Sequence, residues 1–151
     1  MNTTIDLTNI KRQLVVGLAF QLDEKKIILI KKKRPKFQVG KLNGVGGHIE
    51  SHESPINAMI REFMEETGIH ITTWRLFCKL IHDNNLVYFF SVFSSVIHMC
   101  STTTDEEVHL CDVGGILKSE KLMYNLKWLI PMALDPANVT ATVIDPTPTK
   151  W

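Results

Sequence analysis

The sequence is short of several things, and each shortage excludes a class of protein. Cysteine is scarce: Cys78, Cys100 and Cys111 form neither a close pair nor an even set, so a secreted disulfide framework is excluded and a reducing, cytoplasmic setting is expected. Charge of one sign is lacking too, with 17 Lys and Arg against 16 Asp and Glu. Whole-chain charge therefore predicts no stable nucleic-acid binding and no attraction to a membrane surface. No run approaches the ~20 apolar residues that span a bilayer. The opening stretch Met1–Asp6 is polar and acidic where a signal peptide would be basic and then apolar. No repeat or low-complexity block occurs. What remains is 151 residues of which 44% are hydrophobic. That is enough for one domain over 1–151 that buries roughly two-thirds of its unfolded surface without disulfide or metal staples.

Apolar spacing predicts an α/β chain. Leu14–Phe20 and Ile27–Ile30, on either side of Asp23-Glu24-Lys25-Lys26, read as a strand hairpin. A basic stretch, Lys31-Lys32-Lys33-Arg34, then leads into a loop; it is either a solvated strand end or a phosphate clamp. After the glycine-rich Gly44-Val45-Gly46-Gly47, Ser54-Pro55 has the form of a helix cap with proline in the first turn, and Gly68 that of a stop. A helix over about 55–67 follows. Segments 71–81 and 86–97 are rich in β-branched and aromatic residues and flank Asp83-Asn84-Asn85, which predicts a long hairpin. Residues 108–113 suit a short strand, 119–134 a second helix, and an extended tail is expected from about 137.

The first helix carries the chemistry. Successive helical residues turn by about 100°, so Glu62, Glu65 and Glu66 fan over one face while Ile56, Ile60 and Phe63 lie toward the other. Like charges at these spacings cost a few tenths of a kcal/mol per pair. The face is either an ordinary solvated one or a site for a hard cation, since Mg²⁺ is commonly held by one or two carboxylates plus water and phosphate oxygens.

The whole segment settles on a resemblance. Gly47, then Glu53, then Arg61-Glu62-Phe63-Met64-Glu65-Glu66-Thr67-Gly68-Ile69 is similar, without a departure, to the box of the Nudix hydrolases. The match covers 23 of 151 residues. The resemblance implies the Nudix fold, an α/β/α sandwich around a mixed β-sheet. It also implies that Glu62, Glu65 and Glu66 hold Mg²⁺, with Mn²⁺ as a substitute, and that a carbonyl of Gly46 or Gly47 completes the shell. Arg61 and Glu53 would pair behind them and orient the carboxylates. Some members use a further glutamate after the central hairpin as metal ligand or base. In Thr104-Asp105-Glu106-Glu107 the first choice is Glu106 and the second Glu107.

The implied reaction is hydrolysis of a nucleoside diphosphate linked to another group, by attack of water on phosphorus. Leu42-Asn43-Gly44 resembles the segment of MutT-type hydrolases of oxidised purine nucleoside triphosphates in which an asparagine reads the base. Asn43 would do this here, or else only cap a glycine turn. Tyr124-Asn125 falls where those enzymes place base-reading carboxylates, which makes Asn125, or Tyr124, the matching position and leaves a carboxyl missing. Trp128 either lines the base pocket or belongs to the core. Arg34 is a candidate phosphate contact, and Tyr88 sits in an alternating strand face.

The expectation is a Mg²⁺-dependent pyrophosphohydrolase that converts a (d)NTP to the monophosphate and pyrophosphate, with oxidised purine nucleotides such as 8-oxo-dGTP in the lead. It would be a monomer or homodimer whose partner is its nucleotide. Hydrolysis of dinucleoside polyphosphates or nucleotide sugars is the alternative within the family, and a non-catalytic nucleotide-binding module the alternative outside enzymes.

Overall fold

A computed structural model describes residues 7–137 and 139–145. The acidic start, Met1–Asp6, and the end of the expected tail, 146–151, lie outside the described residues. Among the described residues eight strands form one mixed sheet: β1 (Arg12–Phe20), β2 (Lys26–Lys31), β3 (Leu42–Asn43), β4 (Val45–His48), β5 (Arg75–His82), β6 (Asn85–Phe93), β7 (Glu107–Asp112) and β8 (Ala141–Asp145). The path through the sheet is β3-β2-β1-β6-β5-β8, with β4 paired to β1 and β7 to β2. β1 runs parallel to β6 and β5 to β8, and the other pairings are antiparallel.

Alternation along the strands sorts the apolar residues into two clusters, one for each face. Leu18, Phe20, Ile27 and Leu29 join Leu126, Leu129 and Ile130 of helix α3 (Leu126–Leu134) and Val113 and Ile116 of the short α2 (Val113–Ile116). Val15, Ala19, Ile28 and Ile30 join Ala58, Met59 and Phe63 of helix α1 (Pro55–Thr67). Neighbouring residues of β1 and β2 thus feed opposite layers, which is the expected α/β/α sandwich. Burying Met59 and Phe63 completely contributes roughly 1.5–3 kcal/mol each. Among the described residues no helix is long and apolar enough to cross a membrane.

Helix α1 spans the residues its sequence predicts. Ser54 Oγ accepts from the Asn57 N–H at 3.2 Å, Pro55 opens the first turn, and Gly68 at φ 77° closes the helix. The second hairpin turns on Asp83 and Asn84, both at positive φ, with His82 facing Asn85. Three expectations need correction. The first hairpin is brief: β2 pairs with β1 only at Ala19 and Phe20, because residues 14–17 of β1 take β4 as partner on that edge. The second helix begins at Leu126 and not at 119. Leu42 donates its N–H to the Lys121 carbonyl (2.8 Å) and accepts from the Met123 N–H (2.9 Å), so this stretch is tied to β3 before the helix can start. The helical spacing of Leu122 is a coincidence of burial, since its side chain is pinned in the core by that bridge. Finally, the segment assigned to the tail contains β8, which pairs with Cys78–His82 of β5.

Candidate functional site

Because β1 shares one edge between β2 and β4, the sheet parts there, and a cavity of about 460 Å³ opens beneath α1. Glu62 and Glu66 of α1 line it together with Gly46 and Gly47 of β4. Close approach makes the two glycines necessary. A Cβ on Gly46 would lie 1.9 Å from the Val15 carbonyl oxygen, and one on Gly47 would lie 2.5 Å from Glu62 Oε1. Any side chain at 47 would take the space of the Glu62 carboxylate.

Behind Glu62 stands Arg61, whose planar fork fits several acceptors at once. Its Nε and Nη2 donate to the two oxygens of Glu53 at 2.8 and 3.0 Å, Nη1 donates to Glu62 Oε1 at 2.9 Å, and Nη2 also reaches the His48 carbonyl at 3.1 Å. One guanidinium therefore ties the loop before α1, the end of β4 and the carboxylate of Glu62 into a fixed unit. The Arg61 hydrogen bonds hold the Glu53 carboxyl below the usual range. Burial raises Glu62, against the pull of Arg61. Burial also pushes Glu66 up to about 7, with Lys32 opposing and the charges of Glu106, Glu62 and Glu65 adding. Glu65 lies outside the cavity wall, half exposed, with Arg61 Nη1 3.3 Å from its Oε2.

These groups fit a hard divalent cation. Glu66 Oε2 is buried without a hydrogen-bond partner, and both α1 carboxylates that line the cavity are raised by burial, so a positive charge between them would relieve a desolvation that the protein leaves uncompensated. Among the described residues no three His, Cys, Asp or Glu side chains form a ready-made cage. Mg²⁺ does not require one, because it keeps several waters and binds through one or two carboxylates and substrate oxygens.

The opposite wall comes from distant parts of the chain. Asn43 lines the cavity and caps the glycine turn: its Oδ1 accepts from the Gly44 N–H at 2.8 Å while its Nδ2 donates to Gln38 Oε1 at 3.3 Å. Asn125, 4% exposed, lines the same cavity with an Oδ1 that has no partner. The neighbouring Tyr124 is exposed and does not reach it. Arg34 reaches the wall and pairs with Asp105. Of Glu106 and Glu107, Glu106 is taken into the cavity, whereas Glu107 stays at the surface beside His109. Burial pushes the Glu106 carboxyl up, but hydrogen bonds from Lys32 Nζ and the Lys33 N–H outweigh it and leave the carboxyl below its ordinary range.

Trp128 corrects the pocket reading. It is absent from the cavity wall and packs, half buried, against the core cluster under α3, as tryptophan at helical spacing usually does. Tyr88 packs on its strand face, with its hydroxyl 3.4 Å from Gln13 Oε1. Four polar wall residues, Lys32, Gln38, His48 and Glu50, carry no individual signal in the sequence. Lys32 lay inside a basic run that marks it only as a group. Nothing local distinguishes Gln38.

Several solved structures share this fold. A MutT from work on Aliivibrio salmonicida and Vibrio cholerae is 22% identical, with a TM-score of 0.68 over 82% of this chain and 96% of that one. MutT of Methanosarcina mazei Go1 is 17% identical, with a TM-score of 0.66 over 80% and 90%. The Nudix domain of Shewanella oneidensis NrtR, solved with ADP-ribose, is 18% identical, with a TM-score of 0.68 over 85% and 90%. No curated protein matches the sequence. The model of the NUDIX domain matches residues 11–141, a span that takes in the α1 carboxylates, the glycine pair and the opposite wall, so the chain belongs to the Nudix family as a hydrolase of phosphoanhydride bonds.

Proposed function

We propose that the chain is a Mg²⁺-dependent nucleoside triphosphate pyrophosphohydrolase that releases a (d)NMP and pyrophosphate, with oxidised or otherwise modified purine nucleotides as its preferred substrates. One observation carries the reading: the α1 carboxylates Glu62 and Glu66 and the amides Asn43 and Asn125 line the same cavity. Phosphates at one end and a heterocycle at the other would occupy it together.

Nudix hydrolases generally use divalent metal ions, and here Glu62, Glu65, Glu66 and a carbonyl of Gly46 or Gly47 would hold Mg²⁺. Such an ion neutralises phosphate charge and lowers the pKa of water. The residues of the chain do the rest. Arg61, clamped on Glu53, fixes the Glu62 carboxylate so that little reorganisation is needed when phosphate enters. Arg34 would exchange its exposed partner Asp105 for a phosphate oxygen, a small loss for a surface pair. At the far end, the partnerless Asn125 Oδ1 accepts from a donor on the base, and Asn43 holds the wall opposite. An amide in place of a carboxyl changes which edge is read, which favours a purine edge presenting both a donor and an acceptor.

The ADP-ribose bound to the NrtR domain motivates one second reading, a nucleotide sugar or dinucleoside polyphosphate as substrate. Both are tested by comparing kcat/KM across ordinary and oxidised (d)NTPs, ADP-ribose and dinucleoside polyphosphates with Mg²⁺. The account expects one modified purine triphosphate to lead the panel. A lead by a bridged dinucleotide or sugar conjugate would overturn it in favour of the second reading.

A further inference from the structure

Two acidic residues from outside α1, Glu50 and Glu106, line the cavity, and the surroundings of Glu106 are those of an anchor. It is 4% exposed, and it accepts from Lys32 Nζ at 2.8 Å on Oε1 and from the Lys33 backbone N–H at 2.6 Å on Oε2. A charged donor on one oxygen and an N–H on the other make it a fixed anion. The Lys32 side chain is 17% exposed and forms part of the cavity wall, with Glu106 as its one side-chain hydrogen-bond partner among the described residues. An ammonium has three donors, so two stay available toward the cavity that Glu66 also lines.

A buried ion pair is a weak source of stability, because desolvating both charges offsets their attraction. What such a pair does well is hold a positive charge at a fixed place before negative charge arrives there. Phosphoanhydride cleavage needs that service, since electrons shift onto the oxygens of the departing phosphate. We propose that Lys32 is a catalytic residue that donates hydrogen bonds to the pyrophosphate unit of the substrate, and that Glu106 is a positioning residue that fixes the Lys32 ammonium in the cavity wall. The assignment rests on the phosphoanhydride chemistry proposed above and is indifferent to which nucleotide carries the bond. Lys32 and Glu66 line the same cavity, and the phosphates would lie between them.

The test is equilibrium binding of inorganic pyrophosphate with Mg²⁺, measured by calorimetry on wild type, K32M/E106Q, K32R and E106Q. The double variant replaces the pair with neutral side chains of similar size, so neither member of the pair is left as a buried charge without its partner. Loss of charge-assisted hydrogen bonds should weaken its pyrophosphate binding about 10- to 100-fold. K32R should restore binding to within about threefold of wild type, because it keeps the charge. E106Q should bind pyrophosphate more weakly by a smaller factor and raise KM more than it lowers kcat. The proposal is overturned if wild type fails to bind pyrophosphate, if the double variant binds it as wild type does, or if E106Q abolishes kcat with pyrophosphate affinity unchanged, the pattern of a general base. Weakened pyrophosphate binding in the double variant, with no turnover of any nucleoside triphosphate, would support Lys32 and overturn the substrate reading instead.

Discussion

The two walls of the cavity are assembled in opposite ways. The carboxylate wall comes almost whole from one continuous stretch: Gly46 and Gly47, the Glu53 loop and a single helix that Arg61 ties together. The facing wall gathers Lys32 and Arg34, Gln38 and Asn43, Glu106 and Asn125, from four separate parts of the chain. The first wall is stiff because its parts are neighbours in sequence and share one guanidinium. The second depends on tertiary pairings, namely the bridge between Leu42 and Leu122 and the Lys32–Glu106 ion pair. Chemistry common to a family suits the first kind of wall, and choice of substrate the second.

The largest effect should come from the carboxylate wall. Glu66→Gln removes a charge proposed to hold the cation and little packing, so kcat should fall about a thousandfold or more with the fold unchanged. Turnover near the wild-type rate would mean that the α1 face is not where the cation sits.

A pH series sharpens the same point. With the Glu66 carboxyl raised to about 7 in the metal-free protein, a proton competes with the cation, and Mg²⁺ affinity should fall toward a limit of about tenfold per pH unit below 7. The sign for stability follows from proton counts. Between an unfolded value near 4.3 and the folded value of about 7, the folded state binds more protons, so metal-free protein should lose stability as pH rises through that window and level off above it. Calorimetry and melting curves over this range check both slopes, and Glu66→Gln should flatten each. Slopes that survive in the variant would assign the titration to another group.

Smaller effects belong to the facing wall. Asn125→Ala should raise KM for the preferred purine nucleotide about tenfold, and less for pyrimidines, because it removes a donor–acceptor pair from the base end only. Asn43→Ala removes the proposed base contact and the bond to the Gly44 N–H together, so it should lower the melting temperature as well. Equal changes for purines and pyrimidines in both variants would reduce the two amides to structural roles.

The same contrast explains what could be read in advance. Helix α1, its cap at Ser54, its stop at Gly68 and the carboxylate face were legible, because helical period and capping are local properties. The glycine pair was legible as a close approach of backbone, though not that Val15 and the Glu62 carboxylate would fill the space. The start of α3 was not legible, since the apolar spacing of 119–134 suits a helix and only the pairing with Leu42 shows otherwise. Trp128 illustrates the same limit, because nothing in its spacing separates a core face from a pocket face. Lys32 and Gln38 become visible only when the loop between β2 and β3 is folded over the cavity.

The central claim is that both walls act on one nucleotide. Phosphorus NMR of the products from an oxidised purine deoxynucleoside triphosphate, with Mg²⁺ and with Glu66→Gln as the control, tests it directly. Pyrophosphate and the nucleoside monophosphate should appear in equal amounts with wild type and fail to accumulate with the variant. Orthophosphate and a nucleoside diphosphate as the first products, or equal turnover by the variant, would contradict it.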